Sequence, residues 1–490
     1  MTTRRALRSG LAAVVATLTA TAAAVVTAAA PALATLPDPT QTNYSLGALV
    51  IRYIPTRDGV NIDSSVTGDV TGTVAAMRTK TDAITANLVN FLSLGTAYHR
   101  YADPSATPSL TYHVVNSYEH DTAVPTVANP HYNGTTDVYR VRPDYNTIMS
   151  GVNICDYVQN QGVNEVWLYA YQGPSQLGIS ESEMSGPHGD ISNSYRDNRM
   201  PVCTKTYTVY TFNEQRGTAE AVHSHGHQLE AELSYVDPTT FTSEFEGPAH
   251  PAATNETGRC GSVHNPPNAN SEYDWADTTP HASDCLAWLP DGTGPTTQIS
   301  CALWGCTDNG DTDNPQLNWI VWWMQNFPGK GNSVQTHGHH MRNWWDVHAN
   351  FDTVVSSSRT LTLDYPCAAY TCDNLDPTTS LSAATGAYCS AGASTPSGGR
   401  VSADGGTLEL RRGPNCTVAW ARFTPSSSGH SYYLWAGRQS PGFNAWGYLF
   451  AGTSGTQYYA DQVYAAGAAQ ACVLEWTGST WGNQVCTPWR

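Results

Sequence analysis

Apolar runs of strand length alternate with stretches of helical period, and this alternation constrains the fold more than any other feature. ALVIRYIP (residues 48–55), VNEVWLYAYQ (163–172) and KTYTVYTFN (205–213) are nearly continuous in apolar or aromatic residues, as strands buried on both faces are. SLTYHVVNSY (109–118) reads as a further strand. Between them, Val74, Met77, Ile84, Leu88 and Leu92 recur at helical spacing, and YNTIMSGVNICDYVQNQG predicts a single helix ending at Gly162. Strands alternating with helices predict an α/β fold, a mixed or mostly parallel sheet with helices on both faces.

The ends of the chain differ from this middle. Arg4, Arg5 and Arg8 precede an alanine-rich apolar run that reaches Ala32-Leu33-Ala34, the small-x-small pattern of a cleaved leader. Residues 1–34 are therefore read as a signal peptide and the remainder as secreted. The twelve cysteines all follow the leader and form no CxxC pair, so they read as disulfide staples of an oxidising compartment rather than thiolate metal ligands. Cys155 with Cys203, Cys260 with Cys285, and Cys301 with Cys306 are the expected pairs before residue 362. Six cysteines fall in the last 124 residues, among short alternating runs such as TLELR and CTVAWARF. The expected layout is a large α/β domain over 35–362 and a small β-rich, disulfide-stapled C-terminal module over 366–490.

Charge narrows the partners. The chain carries a formal net charge of −17, and loss of the leader's arginines makes it more acidic still. Such a surface repels phosphate backbones, so no nucleic-acid partner is expected. No run after the leader is long and apolar enough to span a membrane, and no membrane partner is expected either.

AEAVHSHGHQLEAEL holds the densest chemistry. If it is a helix, Glu220, His223, His227 and Glu230 share one face and His225 points away; if it is a strand, His223, His225 and His227 share one. Ala, Glu, Gln and Leu favour the helix, with Gly226 as its cost. The HExxH pattern fails because Ser224 stands where the general base belongs. His227-Gln-Leu-Glu230 satisfies HxxE, so His223, His227 and Glu230 are the expected ligands of a divalent metal, with zinc the candidate ion. A catalytic zinc takes a third protein ligand from elsewhere, and His264, Asp274, Asp284 or the histidines 337, 339, 340 and 348 are available. Gly226 aside, the competing reading is a set of hydrogen-bonded structural histidines.

Glu181 and Glu183 fall in a predicted loop beyond a buried strand, and Glu214 with Arg216 follows another, positions where catalytic groups of α/β sheets gather. Their expected roles are proton shuttle for Glu181, Glu183 or Glu214, and carboxylate orientation for Arg216. Trp319, Trp322 and Trp323 lie at helical i, i+3, i+4 spacing and are read as core. Residues 247–315 are too long and too rich in Pro, Asn and Gly for a plain connection, which predicts an ordered, cysteine-tied excursion over the site.

Two resemblances accompany these readings. The segments HGHQLE, PPN with YDW, SDC with W and PDG, and NWW resemble secreted bacterial proteins over most of residues 45–355; this implies no activity. Cys372-Asp373, Asp376-Pro377, Cys389, Leu408–Arg411, Cys416, Trp420-Ala421-Arg422 and Tyr459–Asp461 before Cys472 resemble a small extracellular domain of actinobacterial secreted proteins. That resemblance implies the pairs Cys372–Cys389, Cys416–Cys472 and Cys367–Cys486, and an accessory role.

The resulting expectation is a secreted hydrolase, metal-dependent, acting on an extracellular peptide or glycan polymer. The alternatives are a metal-free carbohydrate-active enzyme using paired carboxylates and a non-catalytic secreted binding protein.

Overall fold

The computed structural model describes residues 42–490 except 173–176, 195–198, 337–338, 358–359, 364–366, 404, 446 and 477–479. The expected leader and His337 thus lie outside the described residues. The chain is a mixed α/β protein. Its central sheet comprises β1 (Tyr44–Tyr53), β2 (Leu110–His120), β3 (Val163–Ala170), β4 (Ser182–Ser185) and β5 (Tyr207–Asn213), in the order β2-β1-β3-β5-β4. Pairs β1/β2, β1/β3 and β3/β5 are parallel, and the edge strand β4 runs antiparallel to β5.

Strand periodicity sends alternate side chains to opposite faces, and each face has its own cover. On one side, Ala48, Val50, Trp167, Tyr169, Tyr210 and Phe212 pack under α1 (Val74–Gly95) and two helices introduced below. On the other, Leu49, Ile51, Val166, Leu168 and Val209 pack under α2 (Tyr145–Gly151) and α3 (Ile154–Asn160). Covering both faces explains why these strands read as unbroken apolar runs. The single helix expected over 145–162 is instead this pair, broken at Asn153, whose φ of 54° is left-handed. Asn tolerates that region better than most side chains, so the break falls there.

Next come α4 (Thr218–Val236) and α5 (Pro315–Met324), which pack on each other and on α1. Trp319, Trp322 and Trp323 of α5 are all buried, as core. Asn314 caps α5 by accepting from Leu317 N, with Pro315 in the first turn. The excursion between α4 and α5 is tied by Cys260–Cys285 and Cys301–Cys306, while Cys155–Cys203 staples α3 to the segment before β5. These are the three pairs expected from the sequence.

Residues 367–490 add two antiparallel sheets with a core of their own, including Leu408, Leu410, Phe423, Tyr432 and Leu434. The sheets include β6 (Arg400–Ala403), β7 (Gly406–Gly413), β8 (Val418–Pro425), β9 (Ser431–Arg438), β10 (Tyr448–Ala451) and β11 (Ala469–Trp476). All the described residues belong to one compact unit. The disulfides here are Cys367–Cys372, Cys389–Cys416 and Cys472–Cys486, which corrects the pairing implied by resemblance. Each partner is local: Cys472 and Cys486 face each other across paired strands, and Cys367 and Cys372 flank one turn. Six disulfides fit an oxidising, extracellular setting. Among the described residues, no helix is long and apolar enough to cross a membrane.

Candidate metal centre

The histidine run is helical, and its register divides the ring nitrogens between two environments. Glu220, His223, His227 and Glu230 line a cavity of about 930 Å³ at the carboxyl end of β5, beside Phe212 and Asn213. Ligands of α/β sheets bind at such strand ends. His225 points the other way, into the sheet. Its ring stacks on Tyr210 at 3.8 Å, and its two nitrogens face Ala221 O at 2.9 Å and Glu165 Oε2 at 3.1 Å.

Two loop contacts fix α4 in place. Asp311 of the excursion accepts from Thr218 N at 2.7 Å and from Thr218 Oγ1 at 2.6 Å, capping the helix from a distance. The preceding residue, Gly217, has no room for more: a Cβ there would meet Asp311 Oδ1 at 1.8 Å. In mid-helix, a Cβ on Gly226 would lie 2.6 Å from Val263 Cγ2. The glycine that weakens the helix therefore lets residues 262–264 settle directly on it.

That close approach delivers His264. Its Nε2 lies 3.0 Å from His227 Nε2 and 3.2 Å from His223 Nε2, so three imidazole nitrogens converge on one point. Zinc–nitrogen bonds of 2.0–2.1 Å at tetrahedral angles would separate such nitrogens by about 3.3 Å. The observed spacing is close to that. The back of each helix-borne ring is also held. His227 Nδ1 donates to Glu230 Oε2 at 2.7 Å, and Glu230 Oε1 accepts from Val263 N at 2.8 Å. The Gln316 amide nitrogen lies 3.1 Å from His223 Nδ1; a half-turn of that amide would put its oxygen there instead, to accept an Nδ1 hydrogen. Donation from Nδ1, as His227 makes to Glu230, leaves the Nε2 lone pair free for a ligand.

The electrostatics suit neutral ligands at His223 and His264 and favour the cation at His227. Burial pushes His223 down to about 3, with the His227 and His264 charges adding. Burial likewise lowers His264. Burial also works against the His227 cation, but the Glu230 hydrogen bond and the Glu230 and Glu181 charges outweigh it and hold His227 up. Behind Glu230, burial and the Glu230 charge push Glu246 up, so that it keeps a proton to share with its neighbour.

The sequence-derived site residues separate cleanly. Glu181 lines the cavity, with Oε2 3.8 Å from His227 Nε2 and accepting from Asn193 Nδ2 at 2.9 Å. Burial pushes its carboxyl up, against the pull of His227. Arg216 lies at the rim, paired with Glu220 at 2.5 Å. Glu183 and Glu214 are not among the cavity's lining residues. Glu183 sits on the edge strand β4, where the sequence predicted a loop; it is fully buried and accepts from Ser180 Oγ at 2.7 Å. Glu214 is 1% exposed, neither carboxyl oxygen has a hydrogen-bond partner among the described residues, and burial pushes it up to about 8. Glu230 stands behind His227 rather than beside the three convergent nitrogens.

Of the third-ligand candidates among the described residues, His264 alone joins the cluster. Asp284 lies 3.3 Å from Arg259, and Asp274 accepts from Asn270 N at 3.4 Å. His348, on the helix α6 (Trp345–Ala349), bridges Glu165 at 3.0 Å and Glu232 at 2.8 Å in the core, on the side of His225. Sequence reasoning missed Gln316, Tyr273 and Trp275. Gln316 carries no local signal; Tyr273, with its ring 4.3 Å from that of His264, stood in a loop without a generic pattern.

No protein-family model matches the chain, and no curated protein matches it significantly.

Proposed function

We propose that this is a secreted metallohydrolase whose centre is His223, His227 and His264. The convergence of three Nε2 atoms, at 3.0 and 3.2 Å, carries the reading. Three histidines with a fourth position open to a cavity match catalytic rather than structural zinc sites, which are closed by four protein ligands. Bound there, a divalent ion supplies Lewis acidity, the property by which such centres activate water near neutral pH.

The chain's own groups supply the rest. Glu181 stands at the open side, close enough to take a proton from a water at the centre and return it to the leaving group. Partial burial raises its proton affinity toward that of a useful base. Glu230 and Gln316 hold the ring planes of His227 and His223. Arg216 stands at the mouth, where it can orient a substrate carbonyl or carboxylate. Tyr273 and Trp275 offer apolar surface beside the reacting centre, which suits an extracellular peptide or glycan.

Of the carboxylates that the metal-free reading names, Glu181 lines the cavity while Glu183 and Glu214 do not; Glu220 and Glu230, which also line it, are engaged by Arg216 and by His227 with Val263 N, which favours the metal reading.

Purification without chelators, followed by elemental analysis, tests the proposal. About one zinc or similar ion per chain is expected, lost in His264→Ala and His223→Ala. Hydrolysis of mixed peptides and glycans should disappear on chelation and return with metal. Wild-type protein that takes up no divalent ion even from excess would overturn it.

A further inference from the structure

A second cleft, independent of the histidine centre, lies where the excursion meets the C-terminal sheets. Its volume is about 700 Å³, within the range of clefts that hold small ligands. Tyr433, Tyr448, Tyr458 and Tyr459 line it, with Asp291, Asp376 and Asp461 and, among the described residues, no lysine or arginine. Tyr448 is 43% exposed, with one face stacked on Phe450 at 5.5 Å, and Tyr459 is 37% exposed, with its hydroxyl donating to Gln457 at 2.8 Å. The aromatic surface does not stop at the rim. Tyr433 lies 6.2 Å from Trp481, which lies 5.1 Å from Trp476, both partly open to solvent.

We propose that this cleft binds a neutral glycan chain, entering along Trp476 and Trp481. Sugar rings present C–H faces that stack on aromatic rings and hydroxyls that donate to carboxylates; the lining offers both. The aspartates and the absence of basic side chains reject sulfated and uronate polymers by like charge. Burial, aided by the Asp376 charge, pushes Asp461 up to about 7, so near neutrality it can donate as well as accept. That lowers the cleft's charge, while Asp291 and Asp376 remain beside it to accept from sugar hydroxyls. Tyr458 is the fixed wall: its ring stacks on Phe450 at 4.0 Å, and its hydroxyl accepts from Thr453 N at 3.0 Å. Tyr448 and Tyr459 are the more exposed rings.

Full-length protein run in native gels containing xylan, glucomannan, hydroxyethylcellulose or pullulan, and pulled down on cellulose and chitin, tests this. Retardation or retention by at least one neutral polymer is expected, with none on polygalacturonate or heparin. Tyr448→Ala and Tyr459→Ala, both at exposed positions, should each weaken binding about three- to tenfold. Their thermal unfolding should match wild type. His227→Ala should bind as wild type does, so the outcome is separate from that of the metal reading. No binding to any neutral polymer, equal binding by both tyrosine variants, or binding only to polyanions or to casein would overturn the proposal.

Discussion

His227 Nε2 and His264 Nε2 lie 3.0 Å apart, although 37 residues of chain separate them. Hydrogen bonding alone could hold one such contact, but His264 Nε2 is shared between two rings, since His223 Nε2 is also 3.2 Å away. One ring hydrogen cannot satisfy both. A cation at the common point satisfies all three lone pairs. His264→Ala should therefore lower divalent-metal affinity by at least about tenfold, measured by competition with a fluorescent chelator, while leaving the helical circular dichroism unchanged.

Gly226→Ala separates helix propensity from packing. In an isolated helix the change would stabilise by about 1 kcal/mol. Here the new methyl would press on Val263, one residue before His264, and overpacking of this kind costs about 1–3 kcal/mol. The variant should lose stability in urea titration and bind metal more weakly than wild type; a gain in both would show that the contact does not position His264.

The Cys260–Cys285 disulfide ties the segment that carries His264, four residues beyond Cys260. Closing a loop of this length restricts the unfolded chain by about 3.5 kcal/mol in the chain-entropy view. The double variant Cys260→Ser/Cys285→Ser should unfold at a lower temperature. If it folds, its metal affinity should fall further than that of Cys155→Ser/Cys203→Ser, whose bridge lies on the other side of the sheet.

Glu165, His225, His348 and Glu232 form a buried charged chain beneath α4. Trp167 Nε1 donates to Glu165 at 2.7 Å, and Gln228 Nε2 to Glu232 at 3.0 Å. The two carboxylates outweigh burial and hold His348 up at about 10, from an ordinary 6.5. Burial opposes the Glu165 charge, but His225 and His348 overcome it and hold Glu165 well below its ordinary 4.5. A raised His348 contributes stability that is whole below about pH 6.5 and is lost as pH rises through about 10. A lowered Glu165 contributes stability that is whole above about pH 4.5 and is lost as pH falls. Stability from this chain should therefore plateau between those values. His348→Leu removes the cation that Glu165 and Glu232 share, leaving them the neutral donors Trp167 and Gln228 and the His225 ring, and should cost about 3 kcal/mol in denaturant titration.

Glu214 acts in one direction only. Burial raises its carboxyl from 4.5 to about 8, so between those values the folded protein holds a proton that the unfolded chain has released. Folding stability should then decline from about pH 4.5 to pH 8. Glu214→Gln, neutral throughout, should flatten that decline in melting temperature measured across the range. An unchanged slope would mean that another group governs it.

The parts legible in the sequence were those that one element settles for itself. Apolar runs identified β1, β3 and β5 because burial on both faces leaves no room for alternation. The 3.6-residue period put Glu220, His223, His227 and Glu230 on one face of α4 and His225 on the other, because that relation follows from backbone geometry alone. The tertiary structure decided what each face meets. It turned the opposite face of α4 into a charged core, since Glu165 and His348 arrive from a strand and a helix far along the chain. It chose His264 over Asp274 and Asp284 because the bare face of Gly226 admits Val263. It put Glu230 behind His227, held by Val263 N, and turned Glu183 and Glu214 away, because a carboxylate's partner is set by which backbone packs against it. Spacing along a helix records none of that, so the sequence could set His223 and His227 on one face with Glu230 while only packing could bring His264 to them.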